Sequence, residues 1–151
     1  MERKIIGVIG GSEAGPEVLQ QAEETGRLIA GHGFLLICGG MGGVMEAAAR
    51  GAKAAGGTTI GILPHGDRHE ANPFIDIPVA TGLGEGRNLV IVRAADLLIA
   101  VDGEYGTLSE IAFALKLDKT VIGLNTWDIT GIVRAATPEE ALNLAMNILN
   151  K

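Results

Sequence analysis

Three apolar runs in this chain each end in a glycine cluster that opens directly into a helix-forming stretch, and this recurrence constrains the fold more than any other feature. Lys4 to Ile9 runs into Gly10-Gly11-Ser12. Phe34 to Cys38 runs into Gly39-Gly40-Met41-Gly42-Gly43. Leu97 to Val101 runs into Asp102-Gly103-Glu104-Tyr105-Gly106-Thr107. A strand followed at once by a helix, again and again, predicts a parallel sheet, because parallel neighbours need a crossover connection and a helix supplies it. The runs are near-continuously apolar and do not alternate, as expected of strands buried on both faces.

The rest of the chain repeats the theme. Pro16 to His32 has helical periodicity, with Val18, Leu19, Ala22, Gly26, Ile29 and Ala30 on one face and Gly31 and Gly33 at its exit. Gly43 to Ala55 is a second, alanine-rich helix, and Thr58 to Leu63 a third strand closed by Pro64. His65 to Pro73 is a polar loop. Ile75 to Ala80 is a short strand that Pro78 demotes to an edge. Arg87 to Ala95, Thr107 to Leu117 and a last helix after Thr137 complete the helices, with Thr120 to Leu124 and an edge strand over Ile132 to Ala135. Thr137-Pro138-Glu139-Glu140 is an N-terminal signal, with Thr137 as cap, proline at the first helical position and Glu140 three residues after the cap. The expected architecture is α/β: a three-layer, modified Rossmann-like parallel sheet with helices on both faces. Residues 1–151 are expected to form a single Rossmann-like nucleotide-binding domain, as the length suggests.

Composition excludes several classes of function. Aromatic residues are 3% of the chain, so the core must be built from Ala, Val, Ile and Leu. A formal net charge of −6 argues against a nucleic-acid polymer as partner, since such proteins carry a basic footprint. It does not exclude a single phosphate, which backbone N–H groups can hold. One cysteine, Cys38, permits no intrachain disulfide, and a cytoplasmic location follows as the expectation. No apolar run has the length of a membrane span.

Ligands of open α/β sheets bind outside the carboxyl ends of the strands, so the loops that follow strands carry the candidate site. Glycine permits close backbone approach, and the helix that follows offers free N–H groups and a partial positive charge. Gly10, Gly11, Ser12, Gly39, Gly40, Met41, Gly42, Gly43, Gly103, Gly106 and Thr107 are the candidate phosphate-binding residues. For any one loop the alternative is a tight turn packed on the sheet. The G-x-G-x-x-G dinucleotide spacing and the G-x-x-x-x-G-K-[ST] spacing are both absent. Arg87, just after Gly82-Leu83-Gly84-Glu85-Gly86, could clamp a phosphate or carboxylate, or pair with Glu85 at the surface. Glu110 could face the site, or close a capping box with Thr107. His65 and His69 have no cysteine partner in their polar loop, and no metal site is assigned to them. Cys38 reads as a buried thiol, His32 as a helix-ending residue suited to the dipole, and Trp127 with Asp128 as lining either a pocket or a subunit contact.

These motifs resemble those of the Lonely Guy (SLOG, lysine-decarboxylase-like) superfamily. Gly39 to Met45 resembles its GGGxxGLM loop, Arg87-Asn88 its Arg-Lys pair, and Asp102 to Glu110 its PGGxGTxxE motif. The Gly10-Gly11-Ser12 start and Gly106-Thr107-Leu108-Ser109-Glu110-Ile111-Ala112 look closest to the molybdenum cofactor carrier-like branch. The resemblance implies a small-molecule, nucleotide-like ligand, either a nucleotide or a molybdopterin-type cofactor carried as cargo, with no cofactor required. A homodimer or homotetramer is also implied. For the phosphoribohydrolase branch it implies Arg87 and Glu110 as catalytic residues: Glu110 would stabilise an oxocarbenium-like ribose, and Arg87 would orient the substrate. Lysine decarboxylation is not expected. The chain departs from the motif at Asp102, Glu104 and Asn88, which places two carboxylates where bare backbone is expected and removes one cation. A third reading is a structural or regulatory oligomer with a vestigial pocket.

Overall fold

The computed structural model describes residues 2–150. Seven strands form one sheet: β1 (Ile5–Gly10), β2 (Leu35–Cys38), β3 (Thr59–Leu63), β4 (Ile77–Ala80), β5 (Leu97–Val101), β6 (Val121–Leu124) and β7 (Val133–Ala135). Their spatial order is β4-β3-β2-β1-β5-β6-β7, and every pairing is parallel. Five helices cover it: α1 (Pro16–Gly31), α2 (Val44–Ala54), α3 (Arg87–Ala94), α4 (Tyr105–Lys116) and α5 (Pro138–Leu149). The three-layer α/β expectation is met.

The two faces of the sheet bury separate apolar layers. Ile6, Val8, Leu36, Leu97, Ile99 and Ile122 point towards α1, α2 and α5. Ile9, Ile37, Ile62, Leu98, Ala100 and Val121 point the other way, where Ile91 and Val92 of α3 and Ile111 and Ala114 of α4 meet them. Alternation along β1 and β5 therefore divides the side chains between two cores, and both sets are apolar because both faces are covered.

Small residues set the helix packing. Gly26 of α1 and Gly51 of α2 let the two backbones touch, since a β-carbon on Gly26 would overlap the Ala48 carbonyl and one on Gly51 the Glu23 carbonyl. Gly26→Ala gains ~1 kcal/mol of helix propensity but must push α1 off α2. A net loss of about 1–3 kcal/mol is expected from the overpacking. Urea denaturation measures it, and an unchanged midpoint would contradict this account of the α1–α2 contact.

Edge and connection details differ from the sequence expectation. β4 begins at Ile77, two residues late, because Asp76 is occupied just before it. Its carboxylate accepts from the Thr59 N–H (3.0 Å) and pairs with Lys53 (2.9 Å). Pro78 is tolerated because β4 is an edge strand. The crossover from β3 to β4 uses residues 64–76 with one 3-10 turn, Arg68–Glu70, in place of a helix. α5 begins as expected: the Thr137 hydroxyl accepts from the Glu140 N–H (3.1 Å).

α4 begins at Tyr105, two residues before the expected start at Thr107. Glu104 is therefore the cap and Thr107 the third helical residue, so the Thr107–Glu110 capping box does not form. The cause lies in Asp102 and Gly103, which take φ of 51° and 108° and turn the chain sharply after β5. Proline, fixed near −65°, could not adopt that conformation at 102, whereas aspartate tolerates it. The departure from the proline of the family motif thus has a backbone cause.

Candidate functional site

The chain runs β1, β2, β3, β4 in one direction across the sheet and then returns to place β5 beside β1. The loops after β1 and β5 consequently part company, and a crevice opens between them at the topological switch point. A cavity of about 450 Å³ lies there, within the size range of small-molecule sites. Its wall includes Gly10, Gly11 and Ser12 after β1, Gly39 after β2, Arg87 and Asn88 at the start of α3, and Gly106, Thr107 and Glu110 of α4. The structure thus brings together candidates from all three glycine loops with Arg87 and Glu110.

The other candidates lie outside the lining, and most have a backbone role. Gly40 (φ 75°) packs against Leu63, where a β-carbon would come within 2.5 Å of its Cδ2. Gly43 (φ 62°) packs its α-carbon on the Gly11 and Ser12 carbonyls. The Val44 N–H, first of α2, donates to the Gly11 carbonyl (3.0 Å), so the loop after β1 already occupies one free donor of that helix. Asn72 donates to the Met41 carbonyl (2.8 Å) and fixes the loop from the other side. Gly42 makes only a loose approach to Ser12. Gly103 sits against Thr107, whose side chain a β-carbon would meet at 2.5 Å. Part of the glycine clustering is therefore close backbone passage between loops.

The start of α4 differs from that of α2. The first intrahelical bond of α4 runs from the Leu108 N–H to the Glu104 carbonyl (3.0 Å), so the N–H groups of Tyr105, Gly106 and Thr107 precede the ladder. Nothing packs against the α-carbon of Gly106, which faces open space in the cavity wall. Donors and the positive end of the helix dipole are thus presented to whatever enters.

Arg87 lies across the cavity floor instead of pairing with Glu85 at the surface. Its guanidinium rests on Gly39, where any β-carbon would strike it, and beside Met45, whose Sδ that carbon would meet at 2.5 Å. Gly39 is glycine because Arg87 needs that space. The Arg87 Nε is buried and has no hydrogen-bond partner. An unsatisfied buried donor is costly, and the guanidinium that carries it lines the cavity.

Glu110 is 6% exposed. Burial pushes its carboxyl up from 4.5 to about 8, and the nearby Arg87 guanidinium only partly offsets this. Burial likewise lowers Arg87, with Glu110 opposing it, although a guanidinium stays charged throughout the working range. No ion pair joins the two. At neutral pH Glu110 is mostly uncharged and Arg87 is cationic, so the cavity floor carries net positive charge in a chain of net charge −6. Glu13, Glu85 and Glu104 ring the mouth, where solvent screens them.

Outside the cavity, Cys38 is fully buried and burial lifts its thiol to about 11, which makes it inert. His65 and His69 are exposed, and His69 pairs with Asp67 (2.9 Å). Among the described residues no group of three or more His, Cys, Asp or Glu is placed to hold a metal ion.

A cavity at the switch point of a parallel sheet, with a helix N-terminus on one side and a half-buried arginine below, defines a Rossmann-like protein of the SLOG type. The chain belongs to the SLOG cluster4 family, whose model matches residues 3–148. Its fold is closely similar to that of the molybdenum cofactor binding protein of Rippkaea orientalis (TM-score 0.94, 41% identity, 99% of each chain covered). It is also similar to the molybdenum cofactor carrier protein of Chlamydomonas reinhardtii (TM-score 0.89, 37% identity, 99% and 100% covered). A cytokinin riboside 5'-monophosphate phosphoribohydrolase of Mycobacterium tuberculosis is 32% identical over 121 residues, 74% of this chain and 64% of that enzyme. The expected membership in the superfamily, on the side of the carrier-like branch, is met.

Proposed function

We propose that this chain binds a phosphate-bearing, nucleotide-like ligand at the switch-point cavity and carries it without chemical change, a molybdenum cofactor of the pterin type being the cargo that its likeness to molybdenum cofactor binding and carrier proteins suggests. The observation that carries the reading is the Arg87 guanidinium in the cavity lining, whose Nε has no partner among the described residues. The Tyr105–Thr107 end of α4 adds backbone donors on the other side. A phosphate accepts from both at once, and planar, bidentate capture of such a group is what arginine does best. Gly106 gives the backbone contact, while Gly10, Gly11 and Ser12 close the opposite wall.

A second reading, N-glycosidic hydrolysis of nucleoside 5'-monophosphates, has its own support in the approach of Arg87 to a buried Glu110. Electrostatics weigh against it at neutral pH. A carboxyl that titrates near 8 is mostly protonated at pH 7 and offers little carboxylate to stabilise a cationic ribose. Incubation with a panel of nucleoside monophosphates separates the two. Calorimetric binding with no free base supports the carrier. Release of base and ribose 5-phosphate, lost in Glu110→Ala, supports the hydrolase and rejects a carrier-only role. Absence of any binding rejects both.

The oligomer belongs to the same proposal. Val90 on α3 and Phe113 on α4 are 37% and 40% exposed on adjacent helices, an apolar face suited to a second copy of the chain. Light scattering should return a dimer or tetramer, and a monomer at micromolar concentration would refute this part. Among the described residues no helix is long and apolar enough to cross a membrane. A cytoplasmic site of action accords with that and with the free thiol.

A further inference from the structure

Tyr105 is a large aromatic side chain left 80% exposed in the wall of an anion-binding cavity. It is not mobile decoration, because Trp127 stands behind it. The ring centroids are 6.0 Å apart and the planes 32° from parallel. The Trp127 indole N–H donates to the Glu104 carbonyl (3.1 Å), so the indole is locked to the residue that precedes Tyr105. The loop that bears Trp127 is itself clamped: Thr126 donates to the Asp102 carbonyl (2.6 Å), and Asn125 holds a φ of 50°. Trp127 also faces a second hollow of about 440 Å³ beyond β6 and β7, which it lines with Asn125, Thr126 and Arg134. Tyr105 thus lines the first hollow and Trp127 the second.

We infer that Tyr105, backed by Trp127, is a stacking platform that selects ligands carrying a flat heterocycle in addition to a phosphate. The inference rests on the anion site proposed above and adds its specificity-determining residue. Tyr105 adjoins Gly106, so a phosphate on the α4 backbone and a ring on Tyr105 lie within the reach of one mononucleotide-sized molecule. A tyrosine gives a broad π-face with little side-chain entropy to lose, and the indole behind it reduces that loss further. The pair offers no hydrogen-bond code to the ring face, so the platform discriminates ring from no ring and not one base from another.

The chain has one tryptophan, so fluorescence excited at the red edge of the indole band, where tyrosine does not absorb, reports Trp127 alone. The probes are guanosine 5'-monophosphate, whose guanine shares the amino-oxo-pyrimidine ring of a pterin, and ribose 5-phosphate, which has the phosphate and no ring. Guanosine 5'-monophosphate should quench the tryptophan and bind at least about tenfold more tightly than ribose 5-phosphate. Tyr105→Ala should bring the two affinities together by weakening the nucleotide alone, and Tyr105→Phe should restore the difference. Equal affinities in the wild type, or an alanine variant that keeps the preference, overturn the platform and leave the anion site standing. A Tyr105→Ala protein that loses subunits but keeps the preference assigns Tyr105 to a subunit contact and also overturns it. Binding of neither probe overturns both the platform and the site beneath it.

Discussion

Arg87→Ala is expected to weaken phosphate-ligand binding by about 100-fold, the largest functional effect of any single change in this chain. A charge-assisted hydrogen bond contributes about 1.5–3 kcal/mol, and a bidentate contact made by a half-buried guanidinium belongs at the upper end. The fold should tolerate the change. Arg87 makes no ion pair among the described residues, and removal of its unpartnered Nε relieves a desolvated donor. Thermal stability is therefore expected to stay level while affinity collapses, and Arg87→Lys should rescue only part of it because an ammonium lacks the planar fork. Calorimetry on both variants makes the check. An alanine variant with wild-type affinity would mean that the Arg87 guanidinium is not a ligand contact.

Glu110→Gln is expected to stabilise the protein, and to do so most at alkaline pH. The Glu110 carboxyl titrates at about 8 in the folded chain and at 4.5 when exposed. Between these values the folded state holds a proton that the unfolded state has released. The unfolded state therefore binds fewer protons, and stability falls as pH rises. The contribution is complete below pH 4.5, declines through the interval and is gone above about pH 8. Glutamine has no proton to lose, so the variant should lack this decline. At pH 8–9 it should exceed the wild type by a few kcal/mol, with about 5 kcal/mol as the ceiling set by the size of the shift. Urea denaturation from pH 5 to 9 tests this directly. Parallel profiles for wild type and variant would show that Glu110 is not held neutral by burial. The same titration bears on function: a rate that rises with pH up to about 8 belongs to a hydrolase, and an anion affinity that weakens over that range belongs to a binding site.

Much of this was legible from residue pattern. Apolar strands and glycine turns gave away the parallel sheet, and Thr137-Pro138 marked the start of α5 to the residue. Arg87 and Glu110 stood out through their motifs. Their environment did not, because burial is a tertiary property: the same Thr-x-x-Glu spacing that frames a capping box here holds a carboxyl inside a cavity. The turn at Asp102 and Gly103 decides between them, since it advances the start of α4 to Tyr105 and carries Glu110 inward. The glycines read alike in sequence and differ in space. Gly39 makes room for Arg87 and Gly106 faces the open cavity, whereas Gly40 and Gly43 serve loop-to-loop packing. The approach of Trp127 to Tyr105 joins loops of two neighbouring strands, and no local signal announces it.

The most direct test of the central claim is retention of cargo. The purified protein is mixed with molybdenum cofactor released from a molybdoenzyme, passed through a desalting column, and assayed for molybdenum and for the ability to activate a cofactor-free molybdoenzyme. Retention of the cofactor in activating form by the wild type, with loss in Arg87→Ala, is the predicted result. No retention by the wild type, together with Glu110-dependent release of base from nucleoside monophosphates, would contradict the account and make the protein a hydrolase.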